Sequence, residues 1–238
     1  RAFELHAESL GFTREGGDTW EAASALNNLG INARYLGDYD RAVGYFEESQ
    51  ALFREVGDDL EVSNTLTNLG VIAGMRGELD KAEGLFREGL ELRRALNNPL
   101  GIANALVNLG EIFQLKRNYP EAAEYLAESI AVHMKLDDLR GVAYALEGFV
   151  AIAAAIGEHQ VALRIAGAAA ALRRKLGAPL SPPEQAELDG HVERARGAMV
   201  AELADECLAA GRASSLRRTI QVACELEPRI RGCHTSVG

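Results

Sequence analysis

Apolar residues return along this chain in two alternating registers, each with the three-and-four spacing of a helix. In the first register Leu26, Leu29, Gly30 and Ala33 share one face at i, i+3, i+4 and i+7. Leu66, Leu69, Gly70 and Ala73 repeat that face, as do Leu106, Leu109, Gly110 and Phe113. The second register has its own columns: Ala42, Ala82, Ala122 and Ala162; Phe46, Phe86, Leu126 and Ala166; Ser49, Gly89, Ser129 and Ala169; Leu52, Leu92, Val132 and Leu172. Large residues alternate with small ones, as the ridges and grooves of antiparallel helices require. No useful length alternates with period two, so strands are not expected.

The registers recur every 40 residues. Asn27-Asn28-Leu29-Gly30, Thr67-Asn68-Leu69-Gly70, Val107-Asn108-Leu109-Gly110 and Glu147-Gly148-Phe149-Val150 mark one point of the repeat. A turn follows each at constant distance, beginning Gly37-Asp38, Gly77-Glu78, Arg117-Asn118 and Gly157-Glu158. Arg1-Ala2 aligns with Arg41-Ala42 and Gly17-Asp18 with Gly57-Asp58, so the first twenty residues form half a unit. A fixed period of this size marks a solenoid or array. The division is a half repeat at 1–20, then repeats at 21–60, 61–100, 101–140 and 141–180. Residues 181–227 are expected to form capping helices, with one long helix over 184–210 and a shorter one over 215–226. A disordered tail is expected from 228 to 238.

Each unit reads as two helices. Asp18 with Glu21, Asp58 with Glu61 and Asn118 with Glu121 have the spacing of a capping box. Pro99 and Pro120 lie near helix starts, where a missing N–H costs little. Glycine inside a helix costs about 1 kcal/mol relative to alanine. Its return at 30, 70 and 110 therefore calls for close helix–helix approach.

These columns resemble the tetratricopeptide repeat, in a 40-residue form with extended helices. Leu-Gly, the turn and the Ala…Phe pair recur together through residues 1–180. Leucine stands at 26, 66 and 106 where the family often has an aromatic, and the proline near the end of the unit is absent. The fourth unit has drifted furthest, with Val150 in the glycine column. The resemblance implies an all-α, right-handed superhelical α-solenoid of helical hairpins. A second resemblance lies in Leu176-Gly177-Ala178-Pro179-Leu180-Ser181-Pro182-Pro183-Glu184 and in Ala210-Gly211-Arg212-Ala213-Ser214-Ser215-Leu216. These motifs look like the C-terminal end of large bacterial regulators that join a STAND-type NTPase to a tetratricopeptide sensor array, often beside a LuxR-type module. Arg217-Arg218 depart from the acidic residues usual there. The resemblance implies an array that is a piece of a larger regulator.

The composition narrows the role. A net charge of −10 disfavours direct nucleic-acid binding, because phosphate-tracking surfaces collect Lys and Arg. The acidity belongs mainly to residues 1–180, with 18 Lys and Arg against 26 Asp and Glu. Arg212, Arg217, Arg218, Arg229 and Arg231 turn the last segment basic, but no aromatics interleave them and plain solvation is the simpler reading. No apolar run reaches the roughly 18 residues of a membrane span. Three cysteines, all beyond residue 206, do not make a disulfide scaffold, which fits a reducing compartment.

Catalytic signatures are missing from the sequence. It contains no phosphate-cradling Gly-x-x-x-x-Gly-Lys-Ser/Thr, no Gly-x-Ser-x-Gly elbow and no His-Glu-x-x-His arrangement. Cys224 with Cys233-His234 matches no common zinc spacing. No enzyme, cofactor or metal is expected. What remains is the face of each first helix opposite the leucines. It carries Ser24, Asn27, Asn28, Ile31, Arg34 and Tyr35, then Asn64, Thr67, Asn68, Val71 and Met75. The third unit adds Asn104, Val107, Asn108, Glu111 and Gln114, and the fourth Glu147.

In tetratricopeptide arrays that face lines a concave groove, and Asn28, Asn68 and Asn108 would form a ladder able to pair with a peptide backbone. A carboxamide carries both donor and acceptor, which suits that task. The simpler alternative is that these asparagines bond to neighbouring helices and hold the stack. Glu111 and Glu147 would favour positive charge at the far end. The expected partners are a protein or peptide ligand or neighbouring domains of a parent protein. A structural scaffold is the rival, self-associating through the open apolar face around Ala2, Leu5 and Leu10.

Overall fold

The computed structural model describes residues 18–226, which are helical throughout apart from short connections. The half repeat with Ala2, Leu5 and Leu10, and the tail with Arg229, Arg231 and Cys233-His234, lie outside the described residues. The chain divides into two compact units, residues 1–101 and residues 102–238. Helices α1 (Thr19–Tyr35), α2 (Tyr39–Glu55), α3 (Asp59–Met75) and α4 (Leu79–Ala95) belong to the first. Helix α5 (Pro99–Leu115) starts at its end, and the second unit continues with α6 (Tyr119–Lys135), α7 (Leu139–Ala155) and α8 (His159–Leu176). Three further helices follow: α9 (Pro182–Gly197), α10 (Ala201–Ala213) and α11 (Leu216–Cys224).

The turns explain why these helices stop where they do. Each repeat helix ends in a left-handed residue, at Gly37, Gly57, Gly77, Asn97, Arg117, Asp137, Gly157 and Gly177. That conformation lets the next N–H reach back five residues: Asp38 donates to the Ala33 carbonyl at 2.9 Å, and Asp58 to Phe53 at 2.9 Å. The following helix starts on an acceptor. Asp18 takes the Glu21 N–H at 3.0 Å, Asp58 that of Glu61 at 3.1 Å and Asp138 that of Gly141 at 3.2 Å. Glu78 and Glu158 depart from this pattern and make no side-chain cap bond, and neither does Asn118. Pro120 in that first turn has removed one of the two N–H groups a cap can use.

The recurring glycines are where paired helices meet. A Cβ on Gly30 would fall 2.6 Å from Phe46 Cε1, and one on Gly70 would fall 2.7 Å from Phe86 Cε1. At Gly110 the obstruction is Leu126, 2.9 Å away. The fourth hairpin inverts the arrangement: the larger Val150 stands on the first helix and the smaller Ala166 on the second, both buried. Space is conserved while its owner changes, as close-packed interiors demand. Small polar residues reinforce the same contacts: buried Ser49 Oγ donates to the Ala23 carbonyl at 2.7 Å, and Ser129 Oγ to Ala103 at 3.0 Å.

The segment after the repeats differs from expectation. The one long helix expected over 184–210 is two helices, because the chain leaves helical geometry at Ala198 and is extended at Val200. The break follows Gly197 and lets α10 cross α8 at backbone contact. A Cβ on Gly211 would fall 2.0 Å from the Arg164 carbonyl oxygen, and one on Gly167 would fall 2.3 Å from that of Leu208. Helix α9 instead packs against α7 and α8. Among the described residues no helix is long and apolar enough to cross a membrane.

Candidate functional site

In the first unit the polar face of α1 and α3 is neither core nor open surface. Ser24, Asn27, Asn28, Ile31 and Arg34 on α1 are half-buried, as are Asn64, Thr67, Asn68 and Val71 on α3. Tyr35 and Met75, at the ends of the two helices, are 79% and 59% exposed. Arg34 lies 5.4 Å from the centre of the Tyr35 ring.

Part of this face is committed to neighbours. Asn68 Nδ2 donates to Asn27 Oδ1 at 3.3 Å, joining the two helices. Arg93, buried on α4, donates from Nη2 to the Ser63 carbonyl at 3.1 Å, to Asn64 Oδ1 at 3.3 Å and to Thr67 Oγ1 at 2.9 Å. Each carboxamide has two donors and two acceptor lone pairs, so one such bond leaves most of its capacity unspent.

The second unit holds a small open cleft of about 80 Å³. Val107, Glu111 and Gln114 enter it from α5, Leu126 from α6, and Tyr144, Glu147, Gly148 and Ala151 from α7. Its remaining wall is Leu180 and, on α9, Glu184, Glu187, Leu188 and His191. Of the sequence-predicted residues, Val107, Glu111, Gln114 and Glu147 therefore come together here. Val107 is buried, Asn108 is half-buried and Asn104 is exposed. A Cβ on Gly148 would press to 2.8 Å from Leu126 Cδ1 and 3.3 Å from Gln114 Nε2, so glycine lets these side chains pack close against α7.

Its charges are unequally compensated. Arg173 of α8 grips Glu147 with two bonds, Nε to Oε1 and Nη2 to Oε2, the latter 2.6 Å long. Both side chains are largely buried, and the pairing holds the Arg173 guanidinium above its ordinary pKa. Glu147 thus brings no unbalanced charge, which changes its expected role at the acidic end.

Among the described residues no cation pairs with Glu111; its Oε1 accepts the Tyr144 hydroxyl at 2.9 Å. Although the residue retains exposed surface, withdrawal of its carboxyl from water, with Glu187 and Glu184 nearby, pushes its pKa up to about 7. Glu184 is held below the usual carboxylate range by the Ser181 hydroxyl and N–H, with Oε2 2.6 and 2.8 Å from Oγ and N. Burial lowers the His191 pKa, helped by Arg194 and opposed by Glu187, so this imidazole favours its neutral form.

The contribution of α9 was not readable from the repeat, because α9 lies outside the periodic columns. A signal for Arg173 existed in the column Phe53, Arg93, His133 and Arg173, whose last three members carry basic side chains. Among the described residues no group of three or more His, Cys, Asp or Glu could hold a metal ion.

Models of the tetratricopeptide repeat match residues 21–95 and 105–140. The chain carries tetratricopeptide repeats. Its fold is the all-α helical-repeat fold of this family. The solved structure of BtubC (BKLC) from P. vanneervenii is similar, with a TM-score of 0.67 and 17% identity over 100% of this chain and 92% of that one. Aspartyl phosphate phosphatase F from Bacillus subtilis gives a TM-score of 0.64 and 16% identity over 90% of this chain and 60% of its own. A Podosopora anserina protein assigned to the kinesin light chains, with nearly identical TPR-like repeats, gives 0.56 and 17% over 80% and 93%. Such identities speak for the fold alone. No curated protein matches the sequence. Tetratricopeptide repeats are in general protein-interaction modules and in general not catalytic.

Proposed function

We propose that this chain is a non-catalytic binding module that takes an extended peptide or protein segment along the polar face of its first helices. The observation that carries the reading is the half-buried row on α1 and α3. Asn28, Asn68, Ile31 and Val71 offer hydrogen bonds and apolar contact side by side, ending at exposed Tyr35 and Met75. Half-buried carboxamides with unspent capacity suit a backbone ligand, whose amides repeat regardless of sequence. The bond from Asn68 to Asn27 also steadies the row before a ligand arrives, which lowers the ordering cost of binding.

The wider role is the sensor or interaction region of a bacterial signalling or transcription regulator, where occupancy biases an attached output domain. The two C-terminal motifs, 176–184 and 210–216, support this context by resemblance. A cytoplasmic location goes with it.

Peptide-library panning against the whole chain tests the binding role. Enriched peptides should lose affinity about tenfold or more when Asn28 and Asn68 are both changed to alanine, with the helical circular dichroism unchanged. Enriched peptides that ignore those substitutions would refute the proposed face.

A further inference from the structure

The cleft walled by α9 has a chemistry distinct from the asparagine row. We propose that it takes an ammonium or guanidinium group on a short aliphatic stem, with the cation between Glu111 and Glu187 and the stem over Leu180 and Leu188. Charge balance is the first argument. Arg173 is spent on both oxygens of Glu147 and, through Nη1, on the Ala178 carbonyl at 3.3 Å. The carboxylates of Glu111, Glu184 and Glu187 share the cleft without an equivalent partner. Glu184 is engaged by Ser181, which leaves Glu111 and Glu187 as the pair facing a guest.

The other residues select the kind of cation. They do not converge as metal ligands, so an organic cation suits their spread better than a bare ion. Half-buried Leu180 and Leu188 give the cleft the apolar surface that a methylene stem covers while its charged end stays polar.

A second, independent observation is that Gln114 Nε2 and His191 Nδ1, both on cleft-lining residues, are buried atoms without a hydrogen-bond partner among the described residues. A buried donor left unpaired is costly. A carbonyl next to the stem would satisfy Gln114 Nε2, and the neutral imidazole could do the same if Nδ1 carries its proton. Cation, stem and carbonyl together describe a basic residue within a peptide; cation and stem alone describe a free alkylamine.

The two sources separate in one experiment. The full chain is titrated by calorimetry with N-acetyl-arginine-methylamide and, separately, with agmatine. Binding should weaken about tenfold in Glu187→Gln and in Glu111→Gln, and should weaken with added salt. The tighter of the two probes identifies the source, with the blocked arginine expected to win through its carbonyls.

Proton release gives a further readout. Tyr144, Glu147, Glu184, Glu187 and His191 share the cleft with Glu111, and a bound cation opposes the carboxyl's tendency to stay protonated. At pH 6, paired titrations in buffers of different ionisation heat should show up to one proton released; at pH 8 almost none. Glu111→Gln should abolish the release. Absence of binding by both probes at millimolar concentration, or affinities untouched by both substitutions, overturns the proposal. The blocked-arginine arm rests on the peptide-binding reading and the agmatine arm does not, so the two can fail separately.

Discussion

The exchange of volume between Gly70 with Phe86 and Val150 with Ala166 predicts a strong, measurable coupling. Phe86 is 3% exposed, and a methyl on Gly70 would lie 2.7, 2.9 and 2.9 Å from three of its ring carbons. Carbon contacts prefer roughly 3.5–4.0 Å, so the ring would have to retreat by roughly 0.8 Å inside a packed hairpin. Gly70→Val gains about 0.4 kcal/mol of helix propensity but incurs an overpacking cost of about 1–3 kcal/mol. Phe86→Ala alone leaves a cavity and costs about 3–5 kcal/mol. Independent effects would bring the double variant to a loss of about 4–8 kcal/mol.

Installed together, the two changes reproduce the arrangement of the fourth hairpin, with the valine filling part of the vacated ring space. The double variant should lose only about 2 kcal/mol, a coupling of at least about 2 kcal/mol. Urea unfolding followed by far-ultraviolet circular dichroism on the four proteins gives the cycle. Additivity within about 0.5 kcal/mol would show that the glycine is not there for the ring, and the packing argument would fall.

The remaining predictions use the same assay unless stated. Arg173→Met should cost about 2–3 kcal/mol, because Glu147 is left buried without its partner; Glu147→Gln should cost less, since the amide keeps one bond. Glu111 has a folded pKa of about 7 against an ordinary 4.5, so the folded state binds more protons between these values. Its contribution to stability is therefore favourable at low pH and is lost as pH rises through that window. The gain of Glu111→Gln over the parent should grow from pH 5 to pH 8; a difference independent of pH would refute this reading. Asp58→Ala removes both the cap on Glu61 N–H and the acceptor 2.9 Å from Trp20 Nε1. It should cost about 1–2 kcal/mol and shift the emission of the only tryptophan. Gly211→Ala forces a methyl onto the Arg164 carbonyl, and hydrogen exchange should rise in α10 and α11 while α1 to α4 keep their protection.

The repeat was legible because every hairpin solves the same packing problem with the same columns. Leu29, Leu69 and Leu109 announce the buried face, and Gly30, Gly70 and Gly110 announce a close neighbour before that neighbour is known. Asp18 and Asp58 announced their caps equally well, but at Asn118 a competing local choice, Pro120, took away a donor. Helix α9 was harder to read because it occurs once, so no column exists to compare it with. Glu147 was read as a free acid from its place on the helix face; only its three-dimensional pairing with Arg173 revealed it as neutralised. The partners of Asn64 and Thr67 were hidden for the same reason, since Arg93 reaches them from 26 residues or more away.

The left-handed residues that close the turns have one further consequence. From Gly37 to Gly177 they fall twenty positions apart, each joined to a backbone bond that admits no slack. One inserted residue in a helix would rotate everything after it by about 100° and swing its apolar face away from its mate. Over this stretch the chain can therefore change length only in whole steps. Duplication or loss of a complete hairpin leaves every later residue in phase, whereas single-residue insertions are confined to the turns or removed by selection. Ancestry in such an array is written in units of forty residues, like a text edited only by the line.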